Sequence, residues 1–233
     1  MAEPITGISS MAMRQVLADL ASDYERQSGS QVTVVAVGGV DAARRVRDGE
    51  AFDFVTLASD AIEQLAAAGR VDAATRADLA RSGIAIAIRA GARRPDVSGE
   101  LEVRAAVLNA RSIGYSTGPS GAHLERLFGR WGIADTIAPR LVQASPGVPV
   151  AELVARGDAE LGFQQLSELL HAPGIEVIGM LPPAIQGVTV FSAAVCTAST
   201  HRAATVALIS FLASAKADAT MHRHGMEPAR SGS

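Results

Sequence analysis

The chain has 233 residues, of which 48% are hydrophobic and 19% charged, and a formal net charge of −3. That is enough apolar surface for one large domain or two small ones, and too few basic residues, with no long Lys/Arg run, for a nucleic-acid-binding surface. The single cysteine, Cys196, excludes an intrachain disulfide and a Cys-rich zinc site.

The chain opens with Met1-Ala2-Glu3-Pro4 and passes straight into an apolar run at residues 5–8. It lacks the basic and apolar regions of a signal peptide. The expectation is a cytoplasmic protein if Met1 is the native start. A periplasmic protein is expected if a Met stands before a mature, exported chain. No apolar run reaches the roughly 20 residues of a membrane span, so membrane insertion is not expected.

Short apolar runs then alternate with amphipathic segments. Strands are expected at residues 5–8, 32–37 and 54–58. Helices are expected at about 11–27, at about 41–47 and from Asp60. This βαβαβα order predicts a parallel sheet with helices on both faces. A strand at 84–89 leaves this first series, and a polar connector covers 91–99. The second series reads helix 101–109, strand 112–115, helix 121–131, strand 141–143, helix 150–156, strand 161–163, short helix 166–170 and strand 176–178. A long β-like run at 189–196 contains Cys196, which is expected to be a buried structural thiol. Helices at about 202–213 and 216–222 close the chain. Two crossings, near 84–90 and 188–195, predict an α/β protein of two Rossmann-like lobes with mixed sheets and a two-crossing hinge. Lobe 1 is residues 1–83 plus 190–233, and lobe 2 is 84–189.

In open α/β sheets ligands sit beyond the carboxyl ends of the strands. The candidate ligand-binding residues are therefore those of the strand-to-helix turns. They are Ser9 and Ser10, Gly38 and Gly39, Ser59, Ser116 and Thr117, Ser120 and Gly121, Gly147 and Val148, and Gln164 and Gln165. Hydroxyls and unpaired amides at helix N-termini make a locally positive site without formal charge, suited to a carboxylate or an oxyanion. Arg89, ending a crossing strand, is a candidate two-point clamp for a carboxylate. No P-loop or dinucleotide fingerprint occurs, and Gly114-Tyr115-Ser116-Thr117-Gly118 is not followed directly by a helix as a nucleophile elbow requires. His222 and His224 read as a solvated helix end. No cofactor or metal is expected, and the expected partner is a small anionic ligand.

Several pieces in fixed order resemble the molybdate-type periplasmic substrate-binding proteins over nearly the whole chain. They are Ser9-Ser10 before a helix, Ala43-Arg44-Arg45-Val46 leading to Gly49-Glu50-Ala51-Phe52-Asp53-Phe54-Val55, Pro119-Ser120-Gly121, residues 153–162, and Gly225-Met226-Glu227-Pro228. The resemblance implies the type II periplasmic-binding-protein fold, two lobes closing on the ligand, and a membrane component of an ABC transporter as partner if the protein is exported. It carries Ser9 or Ser10, Ser120 and the Gly147-Val148 amides over as oxyanion donors. Gly38-Gly39 stands where that family has a second Ser, and Gln165 where it usually has Tyr. Both departures imply a roomier site for a larger ligand with carbonyl or carboxylate groups.

The stretch 162–169, with Leu181-Pro182-Pro183-Ala184-Ile185-Gln186, resembles a branch related to aconitate isomerase. This implies a second function class, an isomerase that moves a double bond in an unsaturated di- or tricarboxylate by allylic proton transfer. Such chemistry needs a base and a donor set for the dienolate. The candidates are Glu168, Tyr115 and His123.

Overall fold

The computed structural model describes residues 3–145 and 147–230. Met1, Ala2 and residues 231–233, assigned above to lobe 1, lie outside the described residues. The chain divides into two compact units, Met1–Ser82 with Val190–Ser233, and Gly83–Thr189.

Unit 1 is built on β1 (Ile5–Ser10), β2 (Val32–Val37) and β3 (Phe54–Ala58), separated by α1 (Arg14–Ser28) and α2 (Gly39–Arg47). α3 (Ser59–Ala67) follows β3. β1 runs parallel to both β2 and β3. β1 and β3 are buried on both faces, as inner strands of a covered sheet are, while Thr33 and Val35 of β2 are exposed. One face brings Ile5, Phe54, Phe191 and Val195 against Leu17 and Leu20 of α1. The other brings Ile8, Val55, Leu57 and Cys196 against Val46 of α2 and Ile62 and Leu65 of α3. Burial pushes the Cys196 thiol up to about 12, with the Asp53 charge adding to it, as an inert structural thiol requires.

The crossing strand β4 (Ala77–Arg89) is more than twice as long as the expected run at 84–89. Asp78, Arg81 and Ser82 interrupt the apolar pattern of its first half, which concealed it. The expected helix at about 11–27 begins as a 3-10 turn, Met11–Met13, before α1.

Unit 2 contains α4 (Glu100–Asn109), β5 (Ile113–Tyr115), α5 (Pro119–Arg130), α6 (Ala134–Ile137), β6 (Leu141–Gln143), α7 (Val150–Arg156), β7 (Leu161–Gln165), α8 (Leu166–Leu169) and β8 (Ile175–Met180). β5 is parallel to β6 and β7. The second half of β4 is antiparallel to β7 on one side and β8 on the other, so the strand order is β8-β4-β7-β5-β6. Ile84, Ile86, Ile113 and Phe163 pack against Val103, Val107, Leu124 and Phe128.

β9 (Val188–Val195) brings the chain back to unit 1 and pairs antiparallel with β3. α9 (Arg202–Leu212), α10 (Asp218–Arg223) and β10 (Glu227–Pro228) complete unit 1. Of the histidine pair, His222 in α10 is exposed, as a solvated helix end requires, whereas His224 just past it is largely buried and its Nε2 lies 2.9 Å from Asp19.

At the amino end of β3, buried Asp53 accepts from Thr6 N at 2.8 Å, Thr6 Oγ1 at 3.1 Å and Ser199 Oγ at 2.7 Å, with His201 Nδ1 at 3.2 Å. Burial alone would raise its pKa. The donors at Ser199 and Thr6, with the charge on His201, outweigh burial and hold the carboxyl below its ordinary range. Its contribution to stability is therefore complete above about pH 4, the unfolded value, and is lost as pH falls through the folded one. Acid titration of unfolding is expected to show a limb below pH ~4 that Asp53→Asn flattens; identical acid limbs would refute this.

Thr56 lies opposite Ser9 in the β1–β3 pair. It is 0% exposed, and its hydroxyl has no hydrogen-bond partner. An unpaired buried hydroxyl is costly, so the nearly isosteric Thr56→Val is expected to raise stability by about 1 kcal/mol. A lower midpoint in denaturant titration would contradict this.

Candidate functional site

Because β1, β2 and β3 are parallel, Ser10, Val37 and Ala58 end at one edge of the unit 1 sheet. The turns that follow lie on that edge, as expected for Ser10, Gly38, Gly39 and Ser59. Alternation separates the two serines. Ser9 is fully buried and its Oγ donates to the Ser10 carbonyl at 3.3 Å. Ser10 is 8% exposed, and its Oγ has no partner. Gly39 neighbours Ser10: a Cβ on it would make ordinary contact, 3.7 Å from Ser10 Cβ and 4.0 Å from Leu57 Cδ2. α2 starts there, with Gly38 as N-cap and no side chain capping its amides. An uncapped nine-residue helix thus begins beside an unpaired hydroxyl, a donor set for an anion. Ser59 is the first residue of α3 and caps nothing. Asp60 Oδ1 instead takes the Ala61 amide at 2.9 Å.

In unit 2 the parallel strands β5, β6 and β7 end at Tyr115, Gln143 and Gln165. The 116–118 turn leads into α5, whose first residue is Pro119, a residue pre-set for that position. Ser116 Oγ lies 3.1 Å from Ser120 Oγ and accepts from Gly118 N at 3.3 Å. Thr117 is exposed, and Ser120 is buried. A Cβ on Gly121 would stand 1.7 Å from the Ser116 carbonyl oxygen, so only glycine fits beneath this turn. Ser167 Oγ, in α8 on the same edge, is buried without a partner.

Several candidates are committed elsewhere. The Val148 amide donates to Ser145 O at 2.9 Å, closing a tight turn with Gly147 at φ +82°. It is not the open donor that the resemblance implied. Gln164 Oε1 accepts from Val150 N at 2.9 Å, and its Nε2 donates to Glu168 Oε2 at 2.6 Å. Both ends of that amide serve the unit itself. Gln165 Nε2 donates to Thr189 Oγ1 at 2.7 Å.

Arg89 does not join these turns. β4 is antiparallel to β7, with Ile84 opposite Gln165 and Ala87 opposite Gly162. Arg89 therefore stands beyond the amino end of β7, five residues or about 16 Å along the strand from the edge that carries Gln165. It lines a groove of about 1070 Å³ with Arg93, Arg111 and Glu160.

The candidate bases also separate. Burial, then the charge and hydrogen bonding of Glu125, raise the Tyr115 pKa, so this phenol is a donor and not a base. His123 Nε2 lies 2.8 Å from the Ile185 carbonyl, which places the proton on Nε2. Its ring fills the space over Gly187, where a Cβ would come within 2.7 Å of Cγ and Nδ1. Glu168 remains, half-buried in the first turn of α8. The bridge from α7 through Gln164 to Glu168 was not foreseen. Its members are distant in sequence from Val150, and no local pattern announces it. Among the described residues no group of three or more His, Cys, Asp or Glu is placed to hold a metal ion. No helix among them is long and apolar enough to cross a membrane.

Two mixed α/β units, each with parallel strands ending in hydroxyl- and glycine-bearing turns, define the type II periplasmic-binding-protein fold. The periplasmic molybdate-binding protein of Azotobacter vinelandii is similar, with a TM-score of 0.80 at 19% identity over 95% of this chain and 98% of that one. So is a sulfate-binding protein of Mycobacterium tuberculosis H37Rv, with a TM-score of 0.78 at 18% identity over 98% of this chain and 88% of that one. Residues 5–227 match the bacterial extracellular solute-binding protein family, and the chain belongs to it. It is also 35% identical to an aconitate isomerase of Pseudomonas sp over 236 residues, 97% of this chain and 90% of that protein.

Proposed function

We propose that the protein binds a small anion, carboxylate or oxyanion, through Ser10 and the α2 amides of unit 1. The observation that carries this reading is Ser10 Oγ, a buried hydroxyl without a partner beside an uncapped helix start. A buried donor that no protein group accepts from is stabilised when an anion arrives. The family supports a location outside the cytoplasm, where the partner would be the membrane component of an ABC transporter.

A second reading is an isomerase of an unsaturated di- or tricarboxylate. The 35% identity to an aconitate isomerase over almost the whole chain favours it, and Glu168 is then the base. Thermal-shift titration with molybdate, sulfate, phosphate, citrate and cis- and trans-aconitate tests both. A true ligand at a hundred times its Kd adds about 2.7 kcal/mol of stability. Stabilisation by molybdate or sulfate alone would return the protein to the metal-oxyanion class. Stabilisation by aconitate, with solvent deuterium entering the ligand, would establish the isomerase. If none of these anions shifts the melt, the anion-binding reading fails.

A further inference from the structure

An exposed sheet edge invites a further strand, and proteins guard such edges with short strands, charges, proline or a covering segment. In unit 1 the strand order runs from β2 through β1, β3, β9 and β4 to β10. β10 has two residues, and one of them, Pro228, has no amide to offer. In unit 2 β6 has three residues. β8 carries Glu176, paired with Arg94 of the connector, and a Cβ on Gly179 would lie 3.1 Å from Val97 Cγ2 of the same connector. β2 has none of these defences. Its six residues pair with β1 in unbroken register, and no charged residue or proline occurs from Gly29 to Val40.

The phase of β2 is fixed by its hydrogen bonds. Ile5 N donates to Gln31 O at 2.9 Å. Gln31, and by alternation Thr33, Val35 and Val37, therefore turn their peptide groups towards β1. Val32, Val34 and Ala36 turn theirs outward. Glu25 agrees with this direction, since its Oε1 takes Val32 N at 2.7 Å. The outward amides of Val34 and Ala36 have no partner among the described residues. On one face of the strand Thr33 and Val35 are exposed, Val35 to 38%.

We propose that β2 is an interaction surface for a second copy of this chain, pairing antiparallel with the partner's β2 across a two-fold axis at Val35. In this register Val34 faces the partner's Ala36, and Ala36 faces the partner's Val34. Each of these pairs exchanges both backbone bonds, so every open amide of the two edges is satisfied. Val32 falls opposite the partner's Gly38, which brings no side chain against Glu25, and the Glu25 bond is kept. Val35 meets the partner's Val35 in a non-hydrogen-bonded pair, the kind whose side chains approach more closely. An uncharged strand opposes no like charges when it meets itself, whereas a charged segment would find no counter-ion along it. The contact is isologous and closes at two copies.

Sedimentation velocity of the full chain, from micromolar to submillimolar concentration, is expected to show a monomer–dimer equilibrium. Val35→Lys sets two ammonium groups face to face on the axis and should weaken association at least about tenfold. Val35→Glu should do the same. An equimolar mixture of the two variants should recover the dimer, because opposite charges then meet across the axis. A second measurement needs no charge. In the non-hydrogen-bonded pair the Cα atoms stand about 4.5 Å apart, within disulfide reach. Mild oxidation should therefore link Val35→Cys into a covalent dimer and leave Val34→Cys unlinked. Cys196 is buried and takes no part.

A parent chain that stays monomeric at every concentration would overturn the proposal. So would a dimer that Val35→Lys leaves intact, a mixture of the charged variants that stays monomeric, or cross-linking through Val34→Cys in place of Val35→Cys.

Discussion

A Ser10→Ala protein is expected to melt no lower than the parent and to bind its anion about ten- to a hundredfold more weakly. The two halves have one origin. Ser10 Oγ is buried and bonded to no other protein group, so removing it forfeits no bond and lifts a desolvation cost. In the complex the same hydroxyl faces a charged acceptor, and such bonds contribute about 1.5–3 kcal/mol, which corresponds to the stated range of affinity. Ser9→Ala is the companion measurement. Its hydroxyl already bonds the Ser10 carbonyl, and its loss should leave affinity within about threefold, less than the value of one neutral hydrogen bond. Thermal melting and calorimetric titration on the two variants decide the matter. An unchanged Kd in Ser10→Ala, or a loss in Ser9→Ala alone, would assign the donor to the wrong serine.

Gly121→Ala is expected to be the more damaging substitution for folding, costing about 3 kcal/mol or more. The added Cβ meets the Ser116 carbonyl oxygen at 1.7 Å, a backbone atom that no rotamer change can move aside. Either the first turn of α5 lifts or the 116–118 turn is displaced, and both would separate Ser120 from Ser116. Gly129, on the same helix, is the control. Nothing lies within 4 Å of the place a methyl group would take there, so Gly129→Ala should stabilise by about 0.5–1 kcal/mol through helix propensity alone. Equal midpoints for the two variants in urea would show that the turn yields freely and that its close packing is incidental.

The α/β alternation was legible because each buried strand is a short apolar run and each helix an amphipathic one. The first half of β4 was not, because Asp78, Arg81 and Ser82 sit within it and its pairing partners include β10, about 150 residues later. Among the proposed site residues, turn chemistry pointed to Ser10, Gly39, Ser120 and Gly121. It could not distinguish Ser9 from Ser10, since both are equally polar and only the phase of the strand separates them. Arg89 was misplaced for a related reason. Its position at the end of a strand was correct, but a strand end faces the ligand edge only when the strand runs with its neighbours, and direction is a tertiary property. Gln164 had the right composition for a ligand donor, while Val150 and Glu168, one on each side in space, consume it.

Unit 2 is one continuous stretch, Gly83–Thr189, whereas unit 1 is assembled from two segments separated by it. The core of unit 1 joins Leu17, Leu20 and Phe54 to Phe191, Leu208, Ile209, Phe211 and Met221. A ribosome therefore releases everything unit 2 needs before it has made the residues that finish unit 1. The nascent chain should carry an open, apolar first half while its middle is already folded, a period of exposure to chaperones. Timed proteolysis of stalled chains should find residues 83–189 protected first. The final 44 residues, Val190–Ser233, then act as the keystone that commits the amino-terminal segment to its native state.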